Sequence, residues 1–469
     1  MSTTQAVVPP QGALASGWRM WVPCLGMALC SLLSFVDRGV LGVLAPTILA
    51  DTGMTAQDLG KVVFFFFLVY TFGNPLWGSL IDYLGLRKAM LLAVGLWTAA
   101  SASHAWMSGF VGFAVARALL GLGEGATFPG GVRTAVESLP GNLRGRGIAT
   151  SWSGGTIGAI VTPLIMVPIA VAYGWQAAFI VTGVFGAAWL VLWAIIARPP
   201  YLPVIERRSS RMEWPNVFEL RTWALVFSYA LPALAPGPIL NLMPIYLTRG
   251  LGVEQAALAS IFWIPPAAWG VGYFVGGWAA DRFAADNKRP VAMFVLLTIA
   301  ASVFGITPSL ASVPAAIALM SWACFIGGAF QMLAMKVGAY SFPREQAALM
   351  SGIASGAWSL ANAGVSPIIG RFFDQQRWEA AFWLVALAPL VGVVIWIGLS
   401  RVEEGTEAPR DRRVPVGLTG LAIGLAAAYL MRASAASVQE LFNIFVAGAV
   451  VGLVLGVLVG RRLRKPAMA

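Results

Sequence analysis

Charge is scarce in this chain: 11% of its 469 residues are Asp, Glu, Lys or Arg, while 58% are hydrophobic. With a mean hydropathy of +0.78, that scarcity excludes a fold kept in solution by its own surface, so most side chains must be solvated by lipid. Histidine is reduced to His104 alone, and the three cysteines, Cys24, Cys30 and Cys324, all fall inside apolar runs. No metal-ligand spacing and no disulfide framework can be built from that set, and the cysteines read as small packing residues. A glycine loop with a lysine for nucleotide phosphates is missing, and so is any catalytic triad; ATP-driven pumping, enzymatic chemistry and a bound cofactor are not expected.

What the chain has in abundance is apolar sequence in runs of about 20 residues, the length that crosses a bilayer. Twelve runs lie near 19–47, 59–80, 88–107, 109–136, 146–166, 174–197, 222–247, 254–280, 291–312, 314–340, 346–369 and 378–400. Two more follow at 415–431 and 441–460. The gap at 198–221 holds Pro199, Pro200, Pro203 and a basic cluster, and it divides the twelve runs six and six. The predicted organisation is an N-terminal segment 1–18, a six-helix half 19–197, a linker 198–221 and a second six-helix half 222–400. A connector 401–414, an additional helix pair 415–460 and a basic tail 461–469 complete it. The short polar stretch before Trp18 lacks the charged segment and cleavage site of a removable signal, so the first span is expected to stay.

A formal net charge of +11 would suggest nucleic acid in a soluble protein, yet the basic residues fall between spans. Arg87, Lys88, Arg144, Arg146, Lys288 and Arg289 follow even-numbered spans, and few lie in the opposite loops. The positive-inside rule then puts both termini in the cytoplasm, as an even number of spans requires. The expected location is a bacterial inner membrane.

The two halves repeat each other. Gly78-Ser79-Leu80-Ile81-Asp82 closes the second span, and Gly277-Trp278-Ala279-Ala280-Asp281 closes the eighth. Trp175-Gln176-Ala177-Ala178-Phe179 opens the sixth, and Trp378-Glu379-Ala380-Ala381-Phe382 opens the twelfth. Such matches in the same order point to duplication of a six-span unit, which places a substrate site between the halves near the bilayer midplane. In the extra pair, Gly448, Gly452, Gly456 and Gly460 line one helical face and suit close helix contact. A monomer with that pair packed on itself or on the main body is expected; a partner-binding module is the alternative.

Charges inside spans are the informative exceptions, each costing roughly 2.5–3.5 kcal/mol at a helix centre on the mildest scale. Asp37-Arg38 lies in the first span, and Arg117 and Glu124 lie in the fourth. At 1.5 Å per residue, Arg38 sits about 14 Å and Arg117 about 12 Å below the same outer surface. Two arginines at one level beside a cavity repel each other unless an anion joins them, and their forked donors suit a carboxylate. Glu124 follows Arg117 by two turns on the same face. A buried carboxylate without a partner tends to take up a proton, so substrate charge and proton uptake could be linked. The alternative is that the four groups neutralise one another as a structural cluster. His104, near the outer end of the third span, reads as interfacial, as do Trp106, Trp175 and Trp378.

Gly78 to Asp82, continued by Tyr83-Leu84-Gly85-Leu86-Arg87-Lys88, resembles the cytoplasmic signature loop of the major facilitator superfamily. The implied fold is all-α, two six-helix bundles around a central cavity, here with two extra helices. The resemblance makes Gly78, Asp82, Gly85 and Arg87, with their echo at Asp281 and Arg282, gating residues whose charges pair between the halves. Asp37-Arg38 with Ala45-Pro46, and Arg117 to Glu124, resemble the anion:cation symporter branch, whose members carry sugar acids, other carboxylates or phosphorylated compounds. That likeness implies that Arg38 and Arg117 bind the anionic group, that Asp37 and Glu124 carry protons, and that Tyr70 faces the substrate. Where family members place an asparagine early in the eleventh span, this chain reads Ala354-Ser355-Gly356-Ala357-Trp358, leaving Asn362 as a substitute. The seventh span has no basic residue to match Arg38, which disfavours organic phosphate; it offers Asn241 and Tyr246 among Pro232, Pro236, Pro238 and Pro244. So many prolines should break the helix where a cavity or gate bends.

The function expected from these readings is symport of a small organic anion with a proton, or Na⁺ in its place, through membrane lipid and without nucleic acid. Proton-driven efflux of a drug or metabolite is one alternative, against which the two cavity arginines argue. A transporter-like sensor or assembly protein, to which the extra helices could belong, is the other.

Overall fold

The computed structural model describes residues 16–202, 220–284, 290–342 and 347–400. Most of the predicted linker, and the predicted helix pair with its glycine-lined face, lie outside the described residues. Among the described residues all regular structure is helical. The first half comprises α1 (Val22–Val43), α2 (Ala45–Thr52), α3 (Ala56–Leu84), α4 (Leu86–Ser103), α5 (Phe110–Glu124), α6 (Thr127–Ser138), α7 (Arg144–Tyr173) and α8 (Trp175–Ile196). The second comprises α9 (Leu220–Ala230), α10 (Pro236–Ile245), α11 (Leu258–Ile261), α12 (Ile264–Phe283), α13 (Val291–Ser302), α14 (Val313–Ser341), α15 (Ala347–Asp374) and α16 (Trp378–Leu399). Nine continuous stretches among the described residues are long and apolar enough to span a bilayer. In chain order α4, the broken pair α9 and α10, and α15 fill the third, seventh and eleventh places.

Local sequence explains the breaks. Proline cannot continue the hydrogen-bond ladder behind it; with Pro232 in the break and Pro236 opening α10, the seventh crossing is interrupted at 231–235 and then ends in a wide turn at Tyr246–Gly250. Pro236 sits at the first position of α10, where its missing N–H leaves nothing unpaired. At the other extreme α3 starts on a reciprocal cap: Asp58 N donates to Thr55 Oγ1 at 3.0 Å, and Thr55 N donates to Asp58 Oδ2 at 3.3 Å.

Helices of the two halves meet across the centre: α3 runs along α15, α7 packs on α12, and α1 lies against α10. The first of these contacts is backbone on backbone. A Cβ on Gly60 would stand 2.4 Å from the Ser366 carbonyl oxygen, and one on Gly370 would stand 2.2 Å from that of Ala56. Only residues without a side chain allow this approach. Hydrogen bonds join the halves at the same end. Asp374, at the end of α15, accepts from the amides of Ala56 and Gln57, each at 2.8 Å, and so caps a helix of the other half. Thr47 Oγ1 donates to Gln255 Oε1 at 3.1 Å, and Gln255 Nε2 donates to the Val43 carbonyl at 2.8 Å. The bundle is therefore closed where α3 begins.

Two residues read from sequence as interfacial are buried instead. His104 is wholly enclosed: its ring stacks on Phe179 at 5.0 Å, and its Nδ1 donates to the Ala100 carbonyl at 2.8 Å. Trp175 is covered too, donating its Nε1 proton to Asp51 at 2.8 Å. Both serve an aromatic layer completed by Phe113, and burial of such rings outweighs their preference for a membrane surface. Trp106 is exposed.

Candidate functional site

Between the halves lies a cavity whose wall takes Phe35, Arg38, Phe67 and Tyr70 from the first half. The second half supplies Tyr229, Asn241, Trp269, Tyr273, Gln331 and Trp358. Helix periodicity accounts for the first set: Phe35 and Arg38 are three apart on α1, Phe67 and Tyr70 three apart on α3, so each pair shares one face.

Arg38 is the charged group of this wall. Its guanidinium lies over three rings, 4.5 Å from the centre of Tyr70, 4.9 Å from Phe35 and 5.3 Å from Phe66, an arrangement in which ring faces stabilise the cation. Behind it, wholly buried, Glu124 accepts from Arg38 Nε and, at 2.9 Å, from Ser34 Oγ. The pair is incomplete. Arg38 Nη2, Glu124 Oε1 and the Tyr70 hydroxyl are each buried with no hydrogen-bond partner among the described residues. Buried charges repay their desolvation only when fully hydrogen-bonded, so this arrangement is poised to accept another group.

Asp37 faces the other way, into the first half, where Ser101 Oγ donates to its Oδ1 at 2.6 Å and lies 2.9 Å from Thr182 Oγ1. Arg117, 2% exposed, donates from Nη2 to the Asp37 carbonyl oxygen at 3.3 Å, and its Nε has no partner among the described residues. It stands behind the wall rather than on it. Of the other residues singled out from sequence, Asn241 is on the wall with its Nδ2 donating to the Gly237 carbonyl at 2.8 Å. Asn362 is buried beside Gly237 and donates from Nδ2 to the Trp358 carbonyl at 2.9 Å. Tyr246 lies apart, packed on Phe382 at 4.8 Å and Trp378 at 5.4 Å. Ser34, Ser101 and Thr182 escaped sequence reading, although Ser34 stands one turn before Arg38. Short hydroxyl side chains are common in membrane helices, and nothing distinguishes those that serve a carboxylate.

At the end opposite the closed one, the signature residues pair within their own halves. Asp82 accepts from Arg133 of α6 at 3.0 Å, and exposed Arg87 donates to the Ala194 carbonyl at 3.2 Å. Gly85, with φ of 81°, makes the turn from α3 to α4 that a side chain would strain. In the second half Asp281 pairs with Lys336 of α14 at 3.0 Å, while Arg282 is exposed. Gly78 has room, since a Cβ there would meet only Pro129 at 3.9 Å. Arg133 and Lys336 are partners that the loop pattern alone does not reveal, because both come from the next even-numbered crossing.

A chain of helical crossings in two six-helix halves, enclosing a cavity with one charged wall, is an integral membrane transporter. Residues 27–364 match the family described as Major Facilitator Superfamily, and the chain belongs to that family. It is accordingly a transporter and not an enzyme. Among curated relatives it is 23% identical over 425 residues to the hexuronate transporter of Escherichia coli strain K12, covering 83% of this chain and 97% of that one. It is 24% identical over 272 residues to the galacturonate transporter of Dickeya chrysanthemi, covering 54% of this chain and 79% of that one. A solved structure of a bacterial homolog to the human lysosomal transporter Spinster, inward-facing and occupied, superposes with a TM-score of 0.69 at 15% identity, covering 83% of this chain and 98% of that one.

Proposed function

We propose that this protein carries a small organic anion, a carboxylate such as a sugar acid, together with a proton, by alternating access at the cavity between its halves. The observation that carries the reading is Arg38 on the cavity wall, held from behind by a buried acid. A substrate carboxylate and Glu124 compete for one guanidinium. Protonation of Glu124 frees the fork of Arg38 for a bidentate contact with the anion, and return of Arg38 to Glu124 on deprotonation expels it. Arg117, facing Asp37 from behind the wall, holds the balance of charge in the cluster while Arg38 changes partner. The curated relatives named above, transporters of hexuronate and galacturonate, support an acid with hydroxyl groups.

With both termini in the cytoplasm, the closed end is the outer one and the present state opens inward. Asp374 and Gln255 then belong to the outer gate, and Asp82, Arg133, Asp281 and Lys336 to the inner. Labelled galacturonate uptake into proteoliposomes under an imposed pH gradient tests the coupling. Glu124→Gln should abolish gradient-driven accumulation and spare counterflow, because a neutral side chain leaves Arg38 free but carries no proton. Equal loss in both assays would make Glu124 a structural group and remove the proposed coupling.

A further inference from the structure

The carboxylate end of the cargo is accounted for by Arg38; the opposite wall holds a second reader. Gln331, on α14, is 2% exposed and lines the cavity from the second half. The indole Nε1 of Trp269 donates to its Oε1 at 3.0 Å. An indole nitrogen can only donate, so this contact fixes which end of the amide is oxygen and which is nitrogen. The Nε2 group, with two protons, has no acceptor among the described residues. Trp269 is itself held by neighbours, with ring centres 6.2 Å from Phe35 of the first half, 5.5 Å from Tyr273 and 6.4 Å from Trp358. The amide is thus locked by a clamped indole with its donor end left for something in the cavity.

Resting on the anion reading above, we propose that Gln331 determines specificity: its Nε2 donates to a hydroxyl oxygen at the end of the cargo remote from the carboxylate, and Trp269 is the positioning residue that keeps the donor aimed. A site built to hydrogen-bond a hydroxyl discriminates strongly against an analogue without it, because that analogue strands a buried donor. An apolar acid of the same length satisfies Arg38 but leaves Nε2 unpaired. Selection for hydroxylated acids is therefore a property of the second half, separable from recognition of charge by the first.

The test is equilibrium binding of D-galacturonate and of hexanoate to the purified full chain by isothermal titration, read as the ratio of the two dissociation constants. Gln331→Leu should lower the preference for galacturonate by about tenfold or more, the loss of roughly one hydrogen bond to a buried group, with hexanoate binding tighter because no donor is left stranded. Trp269→Phe keeps a ring in the stack, removes the N–H, and should lower the same ratio to a smaller degree; it decides the matter where the leucine variant does not fold. An unchanged ratio in both variants, or equal weakening of both acids, overturns the role of Gln331 while leaving the anion reading standing. Wild-type protein that binds neither acid overturns both.

Discussion

The two halves contribute unlike walls to one cavity. The first presents Arg38 with Asp37, Arg117 and Glu124 packed behind it, whereas the second presents the neutral groups of Tyr229, Asn241, Tyr273, Gln331 and Trp358. The halves share one scaffold, and among the described residues only the first holds a buried charge cluster beside the cavity. Charge inside a membrane is costly, and on the proposed reading the other half is left to read shape and hydroxyl pattern. On the proposed reading, the difference teaches a division of labour between related halves: one binds what all cargo in the class shares, and the other separates its members.

Removing the charged wall should produce the largest effect. Arg38→Ala deletes a charge-assisted contact of about 1.5–3 kcal/mol and strands Glu124 in the core. A loss of roughly tenfold to 150-fold in anion affinity is expected, measured by titration. Arg38→Lys keeps the charge and loses the fork, so it should recover only part of that loss. Full recovery would mean that point charge alone is read, and the contrast between a fork on one wall and an oriented amide on the other would lose its meaning.

A smaller effect is expected from the seam where the halves meet. Asp374→Ala removes two hydrogen bonds to the start of α3, a cap contributing about 1 kcal/mol. Gly370→Ala drives a methyl group into the Ala56 carbonyl, and such overpacking costs about 1–3 kcal/mol. Both should shift the population away from closure at this end by severalfold to tenfold or more, with the glycine variant ahead. Cysteines placed at 47 and 255, where Thr47 and Gln255 now touch, report the shift as slower disulfide cross-linking. Cross-linking as fast as in the parent protein would show that the closed end does not depend on these contacts.

The architecture was legible because lipid imposes it. Runs of about 20 apolar residues come directly from the need to satisfy backbone groups internally in a bilayer, and the echo of Gly78–Asp82 at Gly277–Asp281 marks the repeat of a six-span unit. The intramembrane charges stood out for the same reason, so Asp37, Arg38, Arg117 and Glu124 could be singled out as one cluster. What sequence could not show is which way each points. The spacing reads Arg38 and Arg117 at similar depth, yet in the structure one is on the cavity wall and the other behind it. Tyr246 shares the seventh crossing with Asn241, but five residues along a helix turn it away, toward Phe382. Gln331 was readable in principle as an amide in an apolar run; its importance depends on Trp269, 62 residues earlier, and no local pattern connects them.

The smallest effect sharpens the comparison within the first wall. Tyr70 is 1% exposed, its ring lies under the Arg38 guanidinium and its hydroxyl has no hydrogen-bond partner among the described residues. Tyr70→Phe keeps the ring and its attraction for the cation while deleting a buried hydroxyl that makes no bond, so thermal stability should stay level or rise slightly. If the hydroxyl donates to the bound carboxylate, affinity should fall by about tenfold, the low end of the roughly 1.5–3 kcal/mol of a hydrogen bond to a charged group, because Arg38 shares that charge. The same variant should leave the preference for galacturonate over hexanoate untouched, because both acids present the same carboxylate to that hydroxyl. A change in that preference would show the first half reading more than charge, and the division between the two walls would fail at Tyr70.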